Sequence, residues 1–231
     1  MYKRQGEIWG YETYGLFQSE QEIAGAANQD KVSGGIKLMP GDIRFVDRNN
    51  DGVIDWGDNT VDNPGDKKII GNSTPRYHYG INLGADWKGF DLGIFFQGVG
   101  KRDLYLPGTS FRSHYGSEWQ VPSAYNNDYW TEENTRAYFP RARFNGGSAI
   151  NQAQTRYMVD ASYCRLKSVS IGYTLPKVLT QKASIEKIRI YFTGENLFTI
   201  SDTPDGLDPE LDNPYTYPMQ RSLSVGLSLT F

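Results

Sequence analysis

The feature that most constrains this chain is a strict alternation of apolar and polar residues, which recurs along the chain and ends it. In residues 222–231, one face carries only apolar side chains: Leu223, Val225, Leu227, Leu229 and Phe231. Because a β-strand turns successive side chains to opposite faces, this pattern predicts a strand with one apolar and one polar face. Both an edge strand of a soluble sandwich and the closing strand of an outer-membrane barrel have this pattern.

A hairpin is predicted for residues 76–100, where two alternating arms meet at Lys88-Gly89. Glycine at this place supplies the positive φ that a two-residue turn requires. Each arm is about 11 residues long, which suits a tilted crossing of a bilayer and exceeds the usual soluble strand. Aromatic rings mark the two ends of the apolar face, as in the girdles of a barrel: Tyr77 and Tyr79 at one end, Trp87 and Phe90 at the other.

The spacing of the strands favours a membrane barrel over a sandwich. Further strands are predicted over 162–175, 187–200 and 219–231, and the connectors at one end of the strands are much shorter than those at the other. Barrels show this asymmetry between periplasmic turns and extracellular loops. We therefore predict an all-β fold, an antiparallel transmembrane β-barrel segment with long extracellular loops.

The composition excludes several classes of protein. A net charge of −3 gives no electrostatic reason to expect nucleic-acid binding. No run of about 18 apolar residues occurs, so no transmembrane helix is predicted. The two histidines, His78 and His114, lie far apart, and no nucleophile or carboxylate stands at a recognisable catalytic spacing. We expect no enzyme activity.

One segment carries the spacing of a metal site. The stretch "DRNNDGVIDWGD", residues 47–58, matches the calcium loop of an EF-hand, with Asp in place of Glu at the last position. Its predicted ligands are Asp47, Asn49, Asp51, Val53 through its carbonyl, Asp55 and Asp58. The flanks contain Pro and Gly and do not predict the two helices of a calcium sensor. We expect a structural calcium ion here, with magnesium as an alternative and an ion-free polar turn as the simpler interpretation.

Two further clusters have a polar or aromatic character. The acidic residues of "DGLDPELDNP" (Asp205, Asp208, Glu210 and Asp212) are interpreted as a solvated turn in preference to a second ion site. The aromatic residues of the longest loop are candidates for contact with a ligand or a partner, and packing within the loop is an equal alternative: Trp119, Tyr125, Tyr129 and Trp130.

A set of segments follows one order along the chain: "GYETYGLFQSEQEI", "PGDIRFVDRNNDGVID", "IIGNSTPRYHYGINLGADWKGFDLGIFFQGVG", "YWTEENT", "ASYCRLKSVSIGYTLP", "YFTGENLFTI" and "GLSLTF". Together they resemble the C-terminal part of the SusC/RagA family of TonB-linked outer-membrane transporters. The resemblance implies a barrel of about 22 strands, of which this chain supplies about five. It also implies that the alternating terminal strand, ending at Phe231, is the signal for barrel assembly.

The resemblance further implies a location in the outer membrane, a SusD-like surface lipoprotein as partner, and TonB-energised import of oligosaccharides or peptides. The signal peptide, the TonB-contacting segment, the plug and the other strands are expected before Gly6. Because "MYKRQ" resembles a translated sequencing adaptor, we expect residues 1–5 to be non-native and residues 6–231 to form the receptor's C-terminal barrel part. The alternative is a secreted carbohydrate-binding β-sandwich stabilised by calcium, whose apolar strand faces would pack against each other.

Overall fold

The computed structural model describes residues 5–105, 128–143, 147–181, 184–204, 207–211 and 216–231. Its strands are β1 Glu7–Tyr11, β2 Thr13–Leu16, β3 Ile43–Phe45, β4 Lys67–Asn72, β5 Tyr77–Trp87, β6 Phe90–Gly100, β7 Asp103–Tyr105, β8 Met158–Asp160, β9 Tyr163–Thr174, β10 Lys187–Glu195, β11 Thr199–Ser201 and β12 Ser222–Thr230. Its short α-helices are α1 Glu20–Ala24, α2 Asp30–Ser33 and α3 Lys177–Thr180. The chain divides into two units: a loop unit, Met1–Thr74 with Asp103–Val159, and a sheet unit, Pro75–Arg102 with Asp160–Phe231.

The sheet unit is built on one antiparallel sheet, and strands are confirmed in all the segments predicted from the alternation. The segment predicted as one strand over 187–200 is interrupted after Glu195 and divides into β10 and β11. Its strand order is β12-β10-β9-β6-β5, and β11 pairs with the beginning of β9. The registers are continuous between β5 and β6 and between β10 and β12. A bulge between Phe95 and Phe96 interrupts the pairing of β6 with β9. An all-β antiparallel fold is therefore confirmed for this part of the chain.

Both short connectors lie at the same end of the sheet. Lys88 and Gly89 both have positive φ angles, 47° and 89°, as a type I′ turn requires. The second short connector, residues 175–186, joins β9 to β10 at the same strand ends, because Tyr173 near the end of β9 pairs with Phe90 next to the Lys88-Gly89 turn. The long connectors, residues 101–162 and 196–221, leave from the opposite ends of the strands. The predicted asymmetry of connector length is therefore present.

The loop unit has a core of its own, a division that the strand pattern does not reveal. In it β1 pairs with β4 and β2 with β3. The buried side chain of Gln29 donates to the carbonyl of Ile43 (2.8 Å) and accepts from the backbone N–H of Phe45 (3.3 Å), so it replaces a strand partner for β3. The buried apolar residues include Tyr11, Phe17, Val32, Ile43, Phe45, Ile54, Trp130, Phe139, Ile150 and Tyr157.

One glycine in β6 is required by the close approach of its neighbours. A Cβ atom on Gly98 would lie 2.5 Å from the backbone oxygen of Tyr163 and 2.2 Å from the ring of Tyr79. The Tyr79 hydroxyl donates to that same oxygen over 3.1 Å, so the ring covers the glycine. Gly93, in the same strand, has no atom within 4 Å of the corresponding position.

We predict that Gly98→Ala destabilises the protein and that Gly93→Ala does not. Overpacking of this kind costs about 1–3 kcal/mol, and the backbone oxygen of Tyr163 has little freedom to move. Thermal unfolding of the full-length protein, followed by circular dichroism, measures the difference. Equal midpoints for the two variants would show that the contact at Gly98 is unimportant.

Candidate functional site

The apolar face of the sheet is a candidate contact surface of the sheet unit. Its large apolar side chains are exposed on every strand of the five-strand path: Tyr77, Tyr79, Ile81, Leu83, Trp87, Phe90, Leu92, Ile171, Ile190, Phe192, Leu223, Val225, Leu227 and Leu229. Soluble monomers rarely expose a continuous apolar surface of this kind, which marks contact with a membrane or a partner. Among the described residues, no helix is both long and apolar enough to span a membrane.

These side chains do not converge on a dry core. Leu83 is 54% exposed, Ile190 is 49% exposed and Leu227 is 60% exposed. Phe96 is half-buried and makes an edge contact with Phe198, at a centroid distance of 6.3 Å. A β-sandwich requires the apolar faces of two sheets to interdigitate. The exposed face therefore disagrees with the sandwich alternative.

The opposite face of the sheet carries charges. The Arg189 guanidinium donates from Nε to Oδ1 of Asp91 over 2.9 Å, and its second contact is to Oδ2 of the same carboxylate. Asp91 is in β6 and Arg189 in β10, so this pair crosses the intervening strand β9. The bidentate geometry is the strong form of an arginine–carboxylate contact. One face of the sheet is thus apolar, and the other holds ion pairs.

The predicted terminal strand forms, with its apolar residues on the exposed face. Strand β12 pairs with β10 over its whole length, from Ser222 opposite Glu195 to Thr230 opposite Lys187. The predicted assembly-signal residues Leu223, Val225, Leu227, Leu229 and Phe231 are all exposed. That they act as an assembly signal stays a prediction.

The aspartate loop, residues 47–58, is ordered by hydrogen bonds from its own backbone. Asp47 accepts from the N–H groups of Asn50 (2.7 Å) and Gly52 (2.8 Å). Asn49 and Asp51 each accept from the N–H two residues further on. Val53 forms a parallel bridge with Asn28. The first half of the loop therefore has the tight turn that the calcium-loop spacing predicts.

The second half of the loop is engaged with other side chains. Asp55 Oδ2 lies 2.6 Å from the Lys31 ammonium, and Asp58 accepts from the side-chain amide of Asn63 over 2.8 Å. The hydrogen bond from Lys31, together with that from the N–H of Gly57, lowers the pKa of Asp55. Within the described ranges, no group of three or more His, Cys, Asp or Glu side chains is arranged to hold a metal ion. Calcium binding stays a prediction.

A buried carboxylate fastens the aspartate loop to the loop unit. Asp66 is fully buried and accepts from the backbone N–H groups of Arg48 (2.7 Å) and Asp55 (2.8 Å). It lies outside the 47–58 motif, so the motif spacing gives no signal for it. One carboxylate oxygen of Asp66 binds the first half of the loop at Arg48 and the other binds the second half at Asp55, so Asp66 holds the two halves together.

The aromatic residues predicted to contact a ligand or a partner differ in their exposure. Trp119 and Tyr125 lie outside the described residues. Tyr129 is partly exposed, whereas Trp130 is only 4% exposed and packs under the guanidinium of Arg141, with its ring 5.2 Å away. The burial of Trp130 favours the packing alternative over stacking on a sugar ring.

The interpretation of the acidic cluster as a solvated turn is wrong for Asp208 and Glu210. The buried Arg165 side chain reaches both residues: Nη2 lies 2.6 Å from Asp208 and Nη1 lies 3.2 Å from Glu210. Lys167 adds a contact of 2.9 Å to Glu210. Local polarity suggested exposure, but two cations of β9 draw these carboxylates into the sheet unit. Asp205 and Asp212 lie outside the described residues.

This buried cluster, called here the Arg165 cluster (Arg165, Lys167, Asp208 and Glu210), anchors the connector between β10 and β12. Burial alone raises the pKa of Asp208, but the hydrogen bonds from Arg165 and from the N–H groups of Glu210 and Met219 outweigh it, so the pKa is lowered. Arg102 donates to the carbonyl of Pro209 over 2.9 Å. The connector is therefore held at residues 208–210 and at Met219.

No family model matches this chain, but several known proteins are similar to nearly all of it. It is 31% identical over 244 aligned positions to TonB-dependent receptor P3 of Formosa agariphila, and 29% identical over 194 positions to TonB-dependent receptor SusC of Bacteroides thetaiotaomicron. These alignments cover 98% and 81% of this chain. The chain is homologous to TonB-dependent receptors of the SusC/RagA type.

Solved structures agree on the fold of this SusC/RagA-like chain. The structure of the RagAB peptide transporter matches 98% of it with a TM-score of 0.67 and 21% sequence identity. The RagAB peptide importer in the "closed-closed" state matches with a TM-score of 0.66. The chain spans about 22% of the length of the P3 receptor and 23% of the matched RagAB chain. The resemblance inferred from the ordered segments is confirmed.

We predict that Asp208→Asn loosens the connector between β10 and β12, because it leaves the Arg165 charge buried without its closest partner. Breaking such a buried pair typically costs about 3–5 kcal/mol. Limited proteolysis of the full-length protein should show faster cleavage within residues 201–221. Asp202→Asn, at an exposed acid of the same connector, is the matched control.

The same anchoring depends on pH in a defined direction. The folded-state pKa of Asp208 lies below its ordinary value of 3.8. The ionised carboxylate therefore contributes stability that is fully present above that ordinary value and is lost as pH falls through the folded pKa. Cleavage at neutral pH that is equally fast in wild type and Asp208→Asn would contradict the role of this contact.

Proposed function

We propose that this chain is part of an outer-membrane β-barrel transporter, with the apolar face of the sheet in contact with lipid hydrocarbon. The observation that carries the proposal is the exposed apolar face, which runs across all five strands of the sheet path. Aromatic rings stand at both ends of this face on the β5–β6 hairpin, as at the interfaces of a bilayer. No enzyme activity is assigned to the chain.

The proposed orientation follows from the connectors. In barrels of this kind the periplasmic turns are short and the extracellular loops are long. The Lys88-Gly89 turn and residues 175–186 are then periplasmic, and the loop unit and residues 196–221 are extracellular. Phe231 lies at the end of β12 that faces the periplasm in this orientation.

The proposed substrates and partners come from the relatives. One relative is named SusC and the matched structures are named as a peptide transporter and importer. We propose that the whole protein imports oligosaccharides or peptides with energy from the TonB complex, together with a SusD-like lipoprotein at the cell surface. The sheet path of five strands is too short to close alone, since about eight strands form the smallest barrels.

We also propose that the aspartate loop binds a structural calcium ion. The oxygens of Asp47, Asn49 and Asp51 and the carbonyl of Val53 suit a hard cation. Asp55 can join them only if it leaves Lys31. Calcium binding would therefore exchange the Lys31 ammonium for a divalent ion at the Asp55 carboxylate.

A charge on the apolar face tests the membrane proposal. We expect Leu83→Arg to reduce the amount of folded protein in the outer-membrane fraction, because arginine near the middle of a bilayer costs about 2–4 kcal/mol on a barrel's lipid face. Asn82→Arg, on the opposite face of the same strand, is the matched control and should fractionate like wild type. Native protein found in the soluble fraction would contradict the proposal directly.

Calcium binding is tested on the full-length protein by titration calorimetry, with thermal unfolding in calcium or in chelator as a second measurement. We expect heat of binding with millimolar calcium and a higher unfolding midpoint than in chelator. Asp47→Asn should remove both effects, and Asp62→Asn, an exposed acid just after the loop, should leave them unchanged. The absence of heat and of a midpoint shift in wild type would exclude the site.

A further inference from the structure

The loop unit contains a cleft that is lined by more cationic than anionic side chains. The cleft is about 400 Å³ in volume and lies between β2, β3, residues 135–137 and Arg156. Its charged lining residues are Arg44, Arg136, Arg156 and Glu22. The whole chain carries a net charge of −3, so this cationic cleft stands out against an acidic protein.

Arg44 is held in place by rings and not by an acid. Because Ile43 and Phe45 point into the core, alternation along β3 turns Arg44 to the outside. Its guanidinium stacks over Tyr14 at 5.2 Å and over the buried Phe17 at 5.8 Å. Within the part of the chain that the structure describes, no hydrogen bond or ion pair engages its side chain. A cation fixed in this way keeps its bidentate donors for a ligand.

A β-bulge presents Tyr14 beside Arg44. The register between β2 and β3 shifts between Thr13 and Gly15, which leaves Tyr14 as the extra residue. Gly15 has a φ of 125°, which favours glycine at this place. Bulges re-aim side chains and are frequent beside functional sites. The result is a tyrosine that is 71% exposed at the edge of the cleft.

The other charged residues leave the cleft cationic. Arg156 donates to the backbone carbonyls of Tyr138 (2.7 Å) and Ala137, which hold its charge in place without neutralising it. Arg136 is exposed and has no acidic partner among the described residues. Glu22 accepts from the N–H of Gln18 (2.9 Å) in the first turn of α1, where it serves as part of the helix cap.

We propose that this cleft binds the carboxylate of a uronate sugar within an acidic oligosaccharide. Arg44 and Arg136 supply the donors for the carboxylate, and Tyr14 supplies an exposed ring for the sugar. The apolar residues Leu16 and Ala137 are buried, so among the described lining residues they offer no exposed apolar surface to a peptide side chain. A second cleft of about 470 Å³ is also lined by Tyr14 and Arg44 and reaches Asp47, which gives room for more than one sugar.

Because this proposal names a substrate class, it rests on the proposed transport function. Binding of the sugar is nevertheless measured directly, without an uptake assay. The probe is a tetragalacturonate, titrated calorimetrically into the full-length protein in detergent. Its methyl ester keeps the rings without the charge, and a tetraglutamate peptide keeps the charge without the rings. We expect binding of the uronate that is at least tenfold tighter than that of either comparator and that weakens at high salt.

Substitutions of the cleft arginines test whether the uronate binds in the cleft. Arg44→Gln and Arg136→Gln are each expected to weaken uronate binding about tenfold, since each removes a charge-assisted contact. Arg76→Gln, at an exposed arginine of the sheet unit, is the control and should bind like wild type. Arg136 is exposed, so its variant tests the cleft even if Arg44→Gln fails to fold. Retained binding in Arg136→Gln, or weakened binding in Arg76→Gln, would overturn the assignment.

Three further results would overturn the proposal: no binding of the uronate, equal binding of the methyl ester, or equal binding of the peptide. Equal peptide binding would indicate an acidic-peptide site instead. A protein that binds the uronate as expected but is found outside the outer membrane would contradict the transport function and leave the cleft assignment intact. The two failures are therefore distinguishable.

Discussion

The rest of the structure depends on the backbone hydrogen bonds that join β5, β6, β9, β10 and β12. In hydrocarbon an unpaired backbone group costs several kcal/mol, so a lipid-facing sheet must satisfy its polar groups through its own ladders. The inner strands of this sheet do so on both sides. Only when the backbone is satisfied in this way can an apolar face be left outward without a protein layer over it.

That arrangement assigns contact with lipid and specific binding to different parts of the chain. The apolar face has no polar chemistry to offer, the ion pair of Asp91 with Arg189 lies on the opposite face, and the candidate sites lie in the long connectors and the loop unit. There the Arg165 cluster holds one connector by buried charges, while Asp66 and Gln29 hold the loop unit by hydrogen bonds to its backbone. A binding site on loops that are held by such contacts is positioned more firmly than a site on loops of the same length that lack these contacts.

The long strands of the sheet unit and their faces were predictable, whereas the short strands of the loop unit and parts of the candidate sites were not. Leu83 and Leu227 were assigned to one face from alternation alone, and both are exposed on it. Asp208 was misjudged because polar residues in a Pro-rich turn are usually solvated. Tyr14 gave no signal at all, since a bulge depends on the partner strand and Arg44 lies in that strand. The tight turn in the first half of the aspartate loop was predicted, but the salt bridge between Lys31 and Asp55 was not.

The sequence by itself determined where the strands run, which side chains share a face, and where the turns fall. These properties are local, because the two-residue period and the Lys88-Gly89 turn act over a few residues. Tertiary structure alone decided the burial of Asp208, whose partner Arg165 lies 43 residues away, and the cationic cleft, which joins Arg44 to residues near position 136. Such pairings depend on chain closure over long distances, which no local pattern encodes.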